Sequence, residues 1–266
     1  MRIASVALAA AFVGALAGAA HAEEPDTSPT ARLWSLQVTP YLWASGISGD
    51  ISPFRGAPTI GIDKSFSDIL ENLNVGGFVN VWARYDRFVF SADVMYVNTT
   101  DSHVTGPLPG YGPFPPGGNI SADVDTSQFT STLAAGYRLY QSPAFTFDAL
   151  AGARIWQISN KVTGTYSFAP YTVSHEESFG WVDPIIAVRG FFNATDKVST
   201  MVQADVGGFG AGSDNTWQVL ATINYAFRPN MAISAGYKYL HVDYDKDGYV
   251  FDTDLSGPVL GFTYRF

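Results

Sequence analysis

The 266-residue chain has no cysteine, which excludes disulfides, thiol catalysis and zinc–thiolate sites at once. Stability must then come from burial and backbone pairing. Charge is sparse and one-sided: Lys and Arg number 15 against 24 Asp and Glu, for a net charge of −9. That balance argues against nucleic acid or anionic surfaces as partners. After residue 22 no apolar run approaches the ~20 residues of a membrane helix, so helical spanning is excluded. Walker-type phosphate loops and dinucleotide fingerprints are missing from any suitable context. The dense Gly207–Gly212 run follows a strand pattern and opens into a turn, as kinked backbone does. Histidine is scarce as well, with four in all.

The chain is instead rich in alternation. Residues 1–22 read as a cleaved signal peptide, with a basic start at Arg2, an apolar run from Ala4 to Ala20 and the small-x-small pattern Ala20-His21-Ala22. His21 leaves with that segment, so His103, His175 and His241 remain. Residues 23–32 (EEPDTSPTAR) form a polar leader, and residues 33–266 one domain. Ten period-2 segments follow: 33–47, 75–85, 88–98, 125–140, 144–160, 178–192, 198–209, 215–227, 231–244 and 255–266. Their connections alternate between tight turns (Asp86-Arg87, Ser142-Pro143, Asp196-Lys197, Pro229-Asn230) and longer stretches (48–74, 99–124, 161–177, 210–214, 245–254). This is the pattern of a transmembrane antiparallel up-and-down β-barrel, short turns inside and long loops outside. The fold class is all-β, with about ten strands, eight and twelve being the neighbouring counts. Pro40 and Pro184 fall within strands that cannot use them as donors, and both mark places for a lateral opening. Ser65 to Leu73 departs from alternation: Ser65 and Asp68 have capping spacing, and Phe66, Ile69, Leu70 and Leu73 share a helical face. A short amphipathic helix is expected there, over the mouth or partly in the lumen. The 99–124 loop contains a Pro/Gly-rich run, GPLPGYGPFPPGGN, unsuited to ladder pairing.

The last segment puts Pro258, Leu260, Phe262, Tyr264 and Phe266 on one side and Gly257, Gly261, Thr263 and Arg265 on the other. It resembles the C-terminal strand of bacterial outer-membrane β-barrels, whose final aromatic belongs to the signal read by the barrel-assembly machinery; Phe266 takes that role by resemblance. Trp34–Asp50, Ser67–Leu73, Tyr237–Gly248 and Gly257–Phe266 together resemble an uncharacterised group of proteobacterial outer-membrane barrels, related in style to the outer-membrane protein A and W barrels. The resemblance implies a location in the cell outer membrane, with outer-membrane lipid, lipopolysaccharide and the assembly machinery as partners. It implies no substrate, cofactor or active site.

Assigning the greasier parity of each strand to lipid makes the other parity lumenal. The charged lumenal set is Arg84, Asp93, Arg138, Asp148, Arg154, Asp183, Arg189, Asp205, Lys238 and Arg265. Arg84, Arg138, Arg189 and Arg265 would cluster at the periplasmic end. The set serves either a paired network filling a narrow barrel or the lining of a small polar, anion-favouring pore. A structural or surface-interaction role follows from the first, and a small-solute, porin-like channel from the second.

Two motifs invite chemistry. Asp243, Asp245, Asp247 and Gly248, with Asp254 at position twelve, match a calcium-loop spacing, as a weak calcium candidate. The same residues suit a hairpin tip. His241 beside Asp243 invites comparison with the ten-stranded omptin proteases, but His241 shares the outward parity of Tyr237 and Tyr239 and the omptin signatures are absent. No Ser-His-Asn arrangement of an outer-membrane lipase type surrounds His103, His175 or His241. The chain is expected not to be an enzyme and to carry no cofactor.

Overall fold

The computed structural model describes residues 34–105, 120–166 and 172–266. The expected signal peptide, the leader and the Pro/Gly-rich run at 106–119 lie outside the described residues.

Twelve strands and one helix follow in chain order. They are β1 (Trp34–Trp43), β2 (Gly46–Ile51), β3 (Ile60–Lys64), α1 (Phe66–Glu71), β4 (Leu73–Tyr85), β5 (Phe88–Thr105), β6 (Ile120–Gln141), β7 (Phe145–Tyr166), β8 (Thr172–Asn193), β9 (Val198–Gly207), β10 (Asn215–Arg228), β11 (Met231–Lys246) and β12 (Tyr249–Arg265). β1 and β4 to β12 pair antiparallel with their neighbours, and β12 returns to β1 through Gln37–Arg265 up to Trp43–Val259. The result is a closed ten-stranded barrel. Closure removes the unpaired edges that an open sheet would expose. Among the described residues no helix is long and apolar enough to cross a membrane.

Parity is as the alternation predicts. Outward positions in the lower barrel are apolar and exposed, including Leu42, Phe90, Leu133, Ile186, Ile223 and Leu260. Aromatics bound this band below, at Trp34, Tyr85, Phe88, Tyr140, Phe192 and Phe266, and above, at Tyr96, Phe129 and Tyr237. Two such girdles mark the levels of the membrane interfaces.

Strand lengths depart from expectation. β6, β7 and β8 each have 22 residues, about twice the 9–11 that cross a bilayer. Much of the expected external loops 99–124 and 161–177 is therefore ladder: β5 pairs β6 up to Thr105–Ile120, and β7 pairs β8 up to Thr165–Thr172. The 245–254 stretch is likewise a hairpin. Lys246 faces Tyr249 across a two-residue turn in which Asp247 and Gly248 have φ of 58° and 84°. Positive φ at both central residues matches the strand twist of a tight hairpin.

The wall is interrupted between β1 and β4. Their ladder ends at Tyr41–Phe78. Above it β2 continues along β12 and pairs with β3, while the top of β4 pairs only with β5. Helix α1 occupies this break. Ser65 caps it as predicted: its hydroxyl accepts from the Asp68 N–H, and the Asp68 carboxylate accepts from the Ser65 N–H at 2.8 Å. The Ser65 hydroxyl also donates to the Asp68 carboxylate at 2.6 Å, and this bond first, with that from the Ser65 N–H, holds the Asp68 carboxyl below its ordinary value. A depressed carboxylate pKa stabilises the helix start above the ordinary value, and that stabilisation is lost as pH falls through the lowered one. Amide exchange of 66–71, corrected for intrinsic rate, should therefore keep its protection from pH 7 to about 4 and lose it below. Ser65→Ala, which deletes the hydroxyl and keeps the backbone N–H, should weaken this pH dependence.

Candidate functional site

The lumen is built in layers. In the deepest buried layer, Arg154 on β7 and Asp205 on β9 form an ion pair at 2.8 Å with no solvent exposure of either side chain. Arg154 also donates to Thr132 and Thr216 at 3.1 and 3.0 Å, and Gln218 donates to Asp205 at 3.3 Å. A buried pair persists when its remaining hydrogen-bonding capacity is met in this way. Beside it the Lys238 ammonium lies 3.2 Å from the Tyr41 hydroxyl, 3.9 Å from the Asp93 carboxylate and 4.7 Å from the centre of the Trp43 ring. Tyr41 donates to Asp93 at 2.8 Å. These charges are paired across the lumen, as the filled-barrel alternative requires.

Of the four arginines expected to cluster at the periplasmic end, Arg138, Arg189 and Arg265 gather about Trp82 and one small hollow, and Arg84 does not. Arg138 makes a two-pronged pair with Asp148 at 2.7 and 3.1 Å, and Arg138 and Arg189 both lie over the Trp82 ring. Arg84 instead turns down to donate to the Asp86 carbonyl at 3.0 Å, because its strand ends one residue later. Arg265 lines a small hollow of about 80 Å³ together with Arg189 and Trp82, with Tyr41 and Asp93 at its upper end. Asp183 also leaves the expected network. It accepts from the Ser213 N–H at 2.6 Å, the Ser213 hydroxyl at 2.8 Å and the Trp181 indole at 2.8 Å. Its role is to anchor the 208–214 turn. That turn fills the wall where the β8–β9 ladder stops at Ile185–Gly207, and Gly208 donates to the Pro184 carbonyl at 3.1 Å. Pro184 therefore marks a ladder end that is closed, whereas Pro40 lies one residue below the break at α1.

Above the charges the inner face turns apolar. Trp156, Trp181 and Tyr244 stack across the lumen with ring centres 5.3 and 4.1 Å apart, and Phe179 stacks on Tyr249 at 4.4 Å. Beside this stack lies a cavity of about 400 Å³, lined by Ile47, Ile62, Ile69, Val97, Ile158 and Phe179 among others. Trp43 and Met95 lie in its floor, directly over Lys238. The Trp43 indole N–H is buried and has no partner among the described residues. The β2–β3 connection reaches across the outer end of the cavity. Asn160 donates to the Pro53 carbonyl at 2.9 Å, the Arg55 N–H to Glu177 at 2.8 Å, and the Gly56 N–H to the Gly248 carbonyl at 2.7 Å. The bond from Arg55 holds the Glu177 carboxyl below its usual range, helped by His175 and Tyr249.

Helix α1 forms part of the cavity wall through Phe66 and Ile69, with Leu73 beside them at the start of β4, and so lies in the side of the barrel rather than over its mouth. Leu70, expected on the same face, is exposed; a helix of six residues is too short to turn all four apolar side chains inward.

The calcium candidate is not assembled. Asp243 and Asp245 stand on β11, Asp247 in the turn and Asp254 on β12, where it accepts from Tyr239 at 2.6 Å and lies 2.9 Å from His241 Nδ1. No three acidic or histidine side chains converge on a metal-sized site among the described residues. The His241–Asp254 pair faces outward, beside the stacked Trp217 and Tyr239 rings. His175 pairs with Glu177 at 3.1 Å on the exposed rim, and His103 lies on β5.

Alternation alone hid the cavity because it changes sense along each strand. Within the membrane the apolar residues face out, and above it they face in. The signal is present as adjacent apolar residues where the phase flips, at Trp181-Val182 and Tyr239-Leu240.

No protein-family model matches the chain, and no curated protein matches it by sequence. Solved structures do. The outer-membrane protease OmpT of Escherichia coli superposes with a TM-score of 0.51 at 12% identity, covering 91% of this chain and 100% of the other. The fold is that of a bacterial outer-membrane β-barrel. The NalP translocator domain of Neisseria meningitidis (TM-score 0.39, 10% identity, 88% of each chain) and Ail of Yersinia pestis (0.32, 13%, 88% and 98%) are more distant outer-membrane examples. At such identities the likeness concerns architecture alone.

Proposed function

We propose that this chain is an outer-membrane barrel that holds a small apolar molecule in its outer half and does not act as an open water pore. One observation carries this: a cavity of about 400 Å³ with mainly apolar walls, floored by Trp43 and Met95, with the buried Lys238 beneath them. That size and lining fall in the range of small-ligand pockets. The role is then nearer to the expected surface-interaction barrel than to a porin-like channel. No catalytic step is assigned: His241 and Asp254 face away from the cavity, and Arg154 and Lys238 are held by structural partners. The segments quoted above favour membership in the proteobacterial barrel group styled on the outer-membrane protein A and W barrels. Residence in the outer membrane, contact with its lipid and lipopolysaccharide, and assembly through the Phe266 signal belong to the same proposal.

The test uses cis-parinaric acid, a fluorescent fatty acid excited by transfer from nearby tryptophans, added to the refolded protein. Saturable transfer is expected, weakened about tenfold by Val97→Phe, which fills the cavity. Transfer that does not saturate, or is unchanged in a Val97→Phe protein that still shows the heat-dependent gel shift of a folded barrel, would sink the proposal.

A further inference from the structure

We infer that the apolar ligand enters this cavity sideways from the outer leaflet, through the break between α1–β3 and the β4–β5 rim, with the Lys64–Asp101 ion pair as its latch. The inference rests on the cavity reading above and adds its route.

Three observations carry it. First, the break is a real interruption of the wall: above Tyr41–Phe78 no ladder joins β4 to β1, β2 or β3. A barrel in contact with lipid pairs its backbone wherever it can, so an unpaired stretch filled by a helix is a deliberate departure. Second, the two ways into the cavity are held unequally. The outer end is crossed by the 52–57 connection, bonded to Asn160, Glu177, Asp247 and Gly248 on three other strands or turns. Across the side break the bond from β3 is the Lys64–Asp101 pair, whose lysine side chain is 37% exposed. With its lysine open to water the pair is worth little, about 1 kcal/mol, so α1 and β3 can swing about the bond from the Thr100 N–H to the Asn72 carbonyl at 2.9 Å without breaking the barrel ladder. Third, the break is bordered by apolar side chains on both surfaces. Ile62, Ile69 and Leu73 face the cavity, while Ile60, Phe66, Leu70 and Val75 are exposed around it. Val75 stands one outward position beyond Gly77, which pairs with the girdle residue Tyr96. The opening therefore sits at the upper membrane interface. An apolar chain leaving the leaflet there would meet apolar surface along the whole way in, with no water layer to cross.

The occupant this geometry fits is a single hydrocarbon chain, which fills the space between β2–β3 and β5–β7.

The chain's lack of cysteine makes the test direct. Lys64→Cys with Asp101→Cys, joined by a short reducible bis-maleimide, clamps the side break. Arg55→Cys with Glu177→Cys, joined in the same way, clamps the outer end. Each full-length protein is placed in phosphatidylcholine vesicles carrying cis-parinaric acid, and loading is followed by tryptophan-to-probe transfer. The side clamp should slow loading about tenfold, reduction of the linker should restore it, and the outer clamp should leave the rate as in the wild type. Unchanged loading under the side clamp, or equal or greater slowing by the outer clamp, overturns the sideways route while leaving the cavity reading in place. Failure of the wild type to load at all removes the cavity reading itself.

Discussion

Asp205→Ala is expected to cost the barrel about 3–5 kcal/mol, the penalty for leaving a buried charge without its partner. Arg154 has no exposure and, among the described residues, no second carboxylate within bonding distance; it also bonds the Thr132 and Thr216 hydroxyls. Those hydroxyls accept hydrogen bonds but bring no opposing charge. The loss should appear as a lower urea midpoint for the refolded protein with an unchanged slope. Replacing both partners, as Arg154→Met with Asp205→Leu, should recover most of it, because two apolar groups need no pairing. Asp101→Ala makes the contrast: its partner Lys64 stays in contact with water, so the change should be about 1 kcal/mol or less. If Asp205→Ala were as mild as Asp101→Ala, water would have to reach Arg154, and the closed lumen would be disproved.

Opening the floor of the cavity should change the electrical behaviour of the protein outright. Lys238 separates the outer cavity, which contains Trp43 and Met95, from the lower hollow, which runs from Tyr41 and Asp93 to Arg265. Truncating it to alanine removes the cation and its stem from between the two spaces. Asp93 keeps the Tyr41 hydroxyl at 2.8 Å, with Asn80 at 3.5 Å, so the fold is not left with an unmet carboxylate. In planar bilayers the wild type should give no large, steady current. Lys238→Ala combined with Trp43→Ala should give one, with cation preference from the exposed Asp93. A steady wild-type current of the same size would mean that the lumen already conducts, and would restore the porin-like alternative.

Both results depend on features legible to different degrees in the amino-acid order. Strand parity could be read well. Arg154, Asp205, Lys238 and Asp93 face inward as the period of two requires, and the turns at Asp86-Arg87 and Pro229-Asn230 fall where expected. The Ser65–Asp68 cap was equally plain, since capping is decided within four residues. Which charge meets which was not readable. Arg154 finds Asp205 on β9, 51 residues away, although Asp183 faces it directly in the β7–β8 register. Asp183 is taken by Ser213, and that choice depends on how the 208–214 turn folds back. Likewise Asp243 to Asp254 carried a calcium-like spacing, yet strand continuation carries its carboxylates apart. Spacing along a loop and spacing along a hairpin place the same residues differently.

The sequence by itself determined the class of this protein: a cysteine-free chain with ten alternating segments and alternating short and long connections has one way to satisfy its backbone in lipid, a closed barrel. Tertiary structure alone decided that the outer half is an apolar cavity and not a column of charge. Alternation names two faces but not which solvent each one meets. Once the long strands rise past the membrane, water takes the outer face, and the residues sheltered from it become those inside.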